Sequence, residues 1–267
     1  MKKTLLTICL VWMCFSLSAQ KIIDLSGKWS FSIDRQDNGE KEKWFSHTLN
    51  DFINLPGSMP EKLKGDEVTA KTQWTGSLYD SSYYYNPYME KYRKEGNIKF
   101  PFFLTPDKHY VGAAWYQKEV NIPADWKGER ILLFLERPHI ETTVWVNGQK
   151  TGMQNSLCVP HQYDITRYVR PGKCTITIRV DNRIKEINVG PDSHSITDQT
   201  QGNWNGIVGR ICLQTTPKTY FDDIQIYPEP EQKLARVKVV IKGTGTAKVK
   251  LSAESFNTDK KHIVPAI

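Results

Sequence analysis

Between Trp115 and Asn182, apolar and polar positions alternate in short runs separated by turn residues. Trp115-Tyr116-Gln117-Lys118-Glu119-Val120 closes on Ile122-Pro123. Ile131-Leu132-Leu133-Phe134-Leu135 leads to Thr143-Val144-Trp145-Val146 and the turn Asn147-Gly148. Tyr163-Asp164-Ile165-Thr166, Pro171-Gly172 and Thr175-Ile176-Thr177-Ile178-Arg179-Val180 complete the series. A period of two sends alternate side chains to opposite faces of a strand, and Asn-Gly and Pro-Gly form tight turns. The pattern therefore predicts a half-buried antiparallel sheet.

The flanks extend it. Leu25, Trp29, Phe31 and Ile33 fall two or four apart and give a first strand one large apolar face, after which Asp37-Asn38-Gly39 turns the chain. Phe52 to Leu55 is a strand ended by Pro56-Gly57, and Arg210 to Gln214 is a closing strand before a boundary at Pro217. Three more strands are expected over 220–227, 235–242 and 247–255. Three strands alone do not bury a sandwich core, so 218–267 reads as part of a second β-sandwich. The fold class is all-β.

Two stretches break the alternation. From 62 to 114 aromatics crowd together (Trp74, Tyr79, Tyr83, Tyr84, Tyr85, Tyr88, Phe100, Phe103 among them), and Pro87, Pro101 and Pro106 interrupt any long element. Such an insertion either packs its own rings over a sheet edge or offers a ring platform to a sugar, whose apolar faces stack on aromatics. From 184 to 206 the chain is dense in Asn, Asp, Gln, Ser and Thr around Trp204.

Composition narrows the function classes. The 267 residues suffice for one large or two modest domains. The net charge of +7 comes from basic residues interleaved with acids, as in Lys41-Glu42-Lys43, with no basic stripe, so no nucleic-acid partner is expected. Lys2-Lys3, an apolar run from Thr4 to Phe15 and Leu17-Ser18-Ala19 read as an export signal over 1–19, cleaved before Gln20. The expected product is periplasmic or extracellular, without a membrane anchor. Cys158, Cys174 and Cys212 then remain, too few and too widely spaced for a disulfide framework or a zinc site. No cofactor is implied.

The wording of the strands is more specific than their pattern. Leu25-x-Gly27-x-Trp29-x-Phe31, Leu55-Pro56-Gly57, Trp115-Tyr116-x-Lys118, Trp126-x-Gly128, Val144-Trp145-Val146-Asn147-Gly148, Asp164-Ile165-Thr166, Arg179-Val180-Asp181-Asn182 and Asn203-Trp204-Asn205-Gly206-Ile207 occur in that order. This series resembles the N-terminal region of glycoside hydrolase family 2, which includes bacterial β-galactosidases and β-glucuronidases. The resemblance covers about Ile22 to Tyr227. It implies a galactose-binding-like jelly-roll sandwich over 20–217, then an immunoglobulin-like sandwich, partial over 218–267. In the family a catalytic barrel follows in cis and carries two glutamates for retaining cleavage of β-linked glycosides. This sequence has no Asn-Glu dipeptide, the family's usual setting for the acid/base residue, so no catalytic residue is expected in it.

The resemblance also implies that the loop before Gly206, residues 193–206, contacts the terminal sugar. Asn203 stands where a glucuronidase-like pattern has asparagine. Thr200 stands where the family often has a sugar-contacting aspartate, and Asp198 lies two residues away. The sequence also departs from the family over 152–161, with Gln154-Asn155-Ser156 and Pro160-His161 in place of a glycine-rich turn and Pro-Phe. The candidate sugar-binding residues are Asn203, Trp204, Asn205, Asp198 and His194, toward a β-linked glycan or glycoside. Four of the five have a competing structural role: Trp204 as a loop anchor, Asn203 and Asn205 as turn residues, and His194 as a surface hydrogen-bonding group. Two other functions remain open for the chain: a stand-alone carbohydrate-binding module and a structural exported β-sandwich.

Overall fold

The computed structural model describes residues 21–76, 80–101, 103–185, 192–194, 196–243, 248–254 and 263–264. The expected export signal lies outside the described residues, as do Tyr79 in the insertion and Ser195 in the candidate loop.

Two antiparallel sheets build the main body. Its strands are β1 (Ile22–Asp24), β2 (Gly27–Asp34), β3 (Asp51–Leu55), β4 (Gly57–Ser58) and, after the insertion, β7 to β13. Among its described residues the insertion contributes the two-residue pair β5 (Asp66–Glu67) and β6 (Lys108–His109), a short helix α1 (Ser82–Tyr85) and a 3-10 helix over Pro87–Tyr92. The long strands are β7 (Ala113–Ile122), β8 (Arg130–Pro138), β9 (Glu141–Val146), β10 (Gln149–Asn155), β11 (His161–Asp164), β12 (Gly172–Asp181) and β13 (Gly206–Thr216). One sheet runs β1-β13-β8-β11 with β4 added to β13, and the other runs β10-β9-β12-β7-β2-β3.

The core between the sheets takes the inward positions of the alternation. Leu25, Trp29 and Phe31 meet Tyr116, Leu133, Leu135, Val144, Ile176, Ile178 and Leu213. Burial of such side chains is worth about 1.5–3 kcal/mol each, which is the main force closing the sandwich. The outer face of the six-stranded sheet is covered as well, because Trp115, Trp145 and Leu49 form a second cluster under Trp44 and Phe45. Trp145 stacks on Phe45 at 5.2 Å. Asp34 pins that cover, accepting from the Trp115 indole and from the Asn38 and Gly39 amides. Gly39 allows the close approach, since a Cβ there would lie 2.5 Å from Trp115 Nε1.

The expected alternation therefore holds for register but not for exposure. Every side chain of Ile131 to Leu135 is buried, and so is β9 throughout. Strand β10 had no sequence signature, and its residues are exposed or half-buried at a sheet edge. After Thr216, the first two expected strands are β14 (Tyr220–Glu229) and β15 (Leu234–Lys242), which pair as an antiparallel hairpin. The third expected strand over 247–255 is reduced to β16 (Ala253–Glu254), paired with β17 (Ile263–Val264), while 247 and 255 lie outside the described residues. Cys174 and Cys212 are buried, whereas Cys158 is exposed, and none of the three is paired. Among the described residues no helix is long and apolar enough to cross a membrane.

Candidate functional site

The strand ends decide where chemistry can gather. β8 and β12 finish, and β9, β13 and β7 begin, at one end of the sandwich. Asp181 pairs with both Ala113 and Glu141, and Ile207 pairs with Pro138. Backbone bonds cross between the connections there: His139 N donates to Gly206 O and Ile140 N to Asp181 O, each at 3.2 Å. Gly206 has φ +145°, and a Cβ on it would meet Gly57 O at 2.5 Å, so only glycine lets β13 start against β4.

The loop entering β13 packs onto this end and onto the insertion. Asp198 is 1% exposed. Its carboxylate accepts from Thr75 N at 2.6 Å and from Asn203 N at 2.7 Å, and His109 Nε2 lies 3.4 Å away. Asp198 N in turn donates to Thr75 O. The Asn203 amide donates to Thr75 Oγ1 and to Asn182 O, both at 3.0 Å. Asn205 accepts from the Tyr116 hydroxyl at 2.7 Å and donates to Gly112 O and Val180 O at 2.9 Å. Asn182 completes the frame, bonding Gly112 N and Tyr110 O.

Trp204 is half-buried and stacks on His139, with centroids 4.5 Å apart and planes 19° from parallel. Burial pushes the His139 imidazole down to about 4, against the opposing pull of the Asn203 amide and the Asp198 charge. It is therefore neutral at physiological pH. His109 lies on the other side of Asp198 and packs edge-on against Trp74 at 4.8 Å.

Among the described residues, Trp74 Nε1, His109 Nε2, His139 Nε2 and Asn203 Oδ1 are buried side-chain atoms without a hydrogen-bond partner and belong to this cluster, while a fifth such atom, Asn155 Oδ1, lies on β10. Buried polar atoms are nearly always matched, so their concentration separates this cluster from the rest of the scaffold. A network of charges backs it. Burial works to raise the Asp181 carboxyl, but hydrogen bonds from Arg183 and Lys185 and the nearby Arg179 charge hold it well below the usual range.

Four of the five candidate residues thus come together. Asp198, Asn203 and Asn205 are buried, with their side chains bonded into the protein, and Trp204 is stacked beside them. His194 stays apart: it is exposed, and its carbonyl accepts from Thr200 Oγ1 at 2.7 Å. His109, His139, Thr75 and Asn182 were not singled out by sequence reasoning. The two histidines lack ligand spacing, and no group of three or more metal-ligating side chains forms among the described residues.

Two facing antiparallel sheets, with the polar loop entering β13 at one end, define a jelly-roll β-sandwich of the galactose-binding-like class. A family model described as the sugar binding domain of glycosyl hydrolases family 2 matches residues 22–217. The chain belongs to glycoside hydrolase family 2. It is 24% identical to human β-glucuronidase over 266 residues, spanning 89% of this chain and 35% of that protein. With β-glucuronidase of Paenibacillus borealis the identity is 25% over 222 residues, 78% of this chain and 31% of the relative. The chain thus spans about a third of the length of the curated relatives it matches. Its fold superposes on a β-glucuronidase from an uncultured Clostridium sp. with TM-score 0.58 at 19% identity, covering 94% of this chain and 38% of that one. For the Ruminococcus gnavus β-glucuronidase in complex with D-glucuronic acid the values are 0.57, 17%, 84% and 35%.

Proposed function

We propose that this chain is the non-catalytic, sugar-binding part of an exported glycosidase that hydrolyses β-linked glycosides of the glucuronide or galactoside type. The supporting observation is the sugar-binding domain match over 22–217, shared with β-glucuronidases of which the chain spans about a third. The reaction would belong to a barrel in cis, where two carboxylates cooperate about 5 Å apart. In this domain the polar clamp of Asp198, Asn203 and Asn205 shapes the loop, and half-buried Trp204 faces the sugar. The jelly-roll occupies 20–217, the second sandwich starts near 218, and the first 19 residues direct export.

The test is to read the gene past Ile267, express the protein it encodes, and assay nitrophenyl β-glucuronide and β-galactoside. Hydrolysis of either, reduced at least ten-fold in kcat/KM by Trp204→Ala, is the expected result. A stop codon with no barrel downstream, or an intact barrel protein inactive on every β-glycoside, refutes the reading. In the first case, micromolar glycan binding by the chain alone would identify a stand-alone binding module.

A further inference from the structure

The aromatic crowding of the insertion resolves into two kinds of ring. Tyr83 is 1% exposed. It stacks on Phe100 at 4.6 Å, and its hydroxyl donates to Tyr92 O at 2.8 Å. Its neighbours stay outside: Tyr85 is 72% exposed, Tyr88 85%, and Tyr84 flanks them at 42%. Among the described residues between 80 and 99, these three tyrosines are the exposed large apolar side chains.

The backbone that carries them is pinned. α1 ends at Tyr85, after which Asn86 N donates to Ser82 O at 2.8 Å. Asn86 Oδ1 then accepts from Tyr88 N at 2.9 Å and starts the 3-10 helix, whose first residue is Pro87. The Arg93 guanidinium donates to Tyr83 O and to Asn86 O, which ties both ends of the turn together. The Tyr84 ring meets Tyr83 edge-on at 5.0 Å, and its hydroxyl donates to Ala70 O at 3.3 Å. Exposed apolar groups gathered into a patch mark a contact surface, whereas scattered ones do not. From these features we infer that Tyr84, Tyr85 and Tyr88 form a surface platform for a neutral glycan chain, separate from the Trp204 loop.

The chemistry of the patch selects that ligand. A pyranose offers an apolar face to a flat ring and a rim of hydroxyls that donate and accept, and tyrosine supplies both the ring and a hydroxyl at its edge. A turn already fixed by hydrogen bonds loses little freedom when it binds. Charge favours an uncharged partner. Glu90 pairs with Lys94 at 3.2 Å, and Lys91 lies over the Tyr92 ring at 4.9 Å with Glu95 close by in sequence, so acids and bases beside the platform balance. The four residues from Tyr84 to Tyr88 span at most about 14 Å, which matches a short stretch of a polymer and not one enclosed sugar. An open platform holds such a stretch weakly and gains from repeated engagement along the polymer. The class of ligand rests on the sugar-binding reading above, and the platform extends that reading from a terminal sugar to the chain that carries it.

The test is affinity electrophoresis of the full chain in native gels containing β-1,4-galactan or a mixed-linkage β-glucan, with alginate as a uronate polymer for comparison. Retardation by at least one neutral polymer is the expected result. Tyr85→Ala and Tyr88→Ala should each weaken it about three- to ten-fold, and Tyr88→Phe, which keeps the ring, should retain most of it. Both side chains are exposed, and circular dichroism checks that the variants fold as wild type does. No retardation by either neutral polymer overturns the platform. So does retardation that Trp204→Ala abolishes and the tyrosine variants leave intact, because binding would then lie in the loop. Retardation by alginate alone, lost at high salt, overturns it too, since charge and not stacking would be responsible. Each of these failures leaves the sugar-binding reading standing, and the assay of the barrel-bearing protein decides that separately.

Discussion

Acidification should loosen the Trp204 loop through His139. The ring is 5% exposed and stacked on Trp204, and its imidazole falls from 6.5 to about 4 in the folded protein. In the unfolded chain it titrates at its ordinary value. Between these two values the unfolded state binds a proton that the folded state does not, so stability rises with pH across that window. The contribution is full above about pH 6.5 and is lost as pH falls toward 4. At about 1.4 kcal/mol per unit, the whole shift is worth about 3 kcal/mol, most of it gone by about pH 4.5.

Urea unfolding followed by tryptophan fluorescence measures this effect directly. Other groups titrate in the same window, including His161, which burial also lowers. The comparison is therefore between the wild-type chain and His139→Gln, which keeps a polar side chain but cannot be protonated. The variant should be less stable near neutrality, because the stack is lost. Its stability should fall by about 2–3 kcal/mol less than wild type between about pH 7 and pH 4.5. Parallel pH dependences for the two proteins would refute the assignment of a neutral, buried imidazole at position 139.

Three further outcomes follow from the same end of the molecule and from the core. Asn205→Ala leaves the Tyr116 hydroxyl and the Gly112 and Val180 carbonyls unmatched in the interior, and should cost about 3 kcal/mol in urea unfolding; a loss under about 1 kcal/mol would contradict the hydrogen bonds described. The depressed Asp181 carboxyl contributes stability above the ordinary carboxylate range and loses it as pH falls below about 4, so Asp181→Asn should lower stability at pH 7 and flatten the acid limb of the pH–stability curve; an unchanged acid limb would count against the ion cluster. In the chain beginning at Gln20, a thiol reagent at neutral pH should label Cys158 alone, because Cys174 and Cys212 are buried and burial pushes the Cys174 thiol up to about 11; rapid labelling of a second thiol before unfolding would disprove it.

The strands that were legible in the sequence have one face on the core and a turn residue at each end. Thr175 to Val180 and Arg210 to Gln214 fall inside β12 and β13. Strand β10 was not legible, because Gly152-Met153-Gln154-Asn155 has no apolar alternation. That edge strand is held by backbone pairing with β9 and buries little of its own, so propensity says nothing about it. The full burial of Ile131 to Leu135 matches their unbroken apolar run better than the alternation expected of them, and on the outer face Arg210 lies over the Phe134 ring.

The site was half legible for a related reason. The resemblance to family 2, supported by polar density around a tryptophan, singled out Asp198, Asn203, Trp204 and Asn205, which are close in sequence. His109, His139, Thr75 and Asn182 lie far apart along the chain and meet only because antiparallel topology returns the ends of β8 and β12 and the starts of β9 and β13 to one edge. His139 directly follows β8 and Asn182 directly follows β12, so strand direction alone could have placed them together.

Burial then sorts the candidates by what each has left to offer. Both carboxylate oxygens of Asp198 accept backbone amides, and the three polar contacts of Asn205 are all internal. Recruiting either to a ligand would break a bond at a cost of about 1–3 kcal/mol before any contact is gained. Asn203 is committed as well: its amide nitrogen donates to Thr75 and Asn182, and its buried Oδ1 acts on the His139 imidazole. Trp204 has one neighbour ring in His139 and remains half-buried. The dense polar sequence is therefore mostly the means of holding the loop rigid, and on the proposed sugar-binding reading Trp204 is the candidate side chain in this clamp left with open surface.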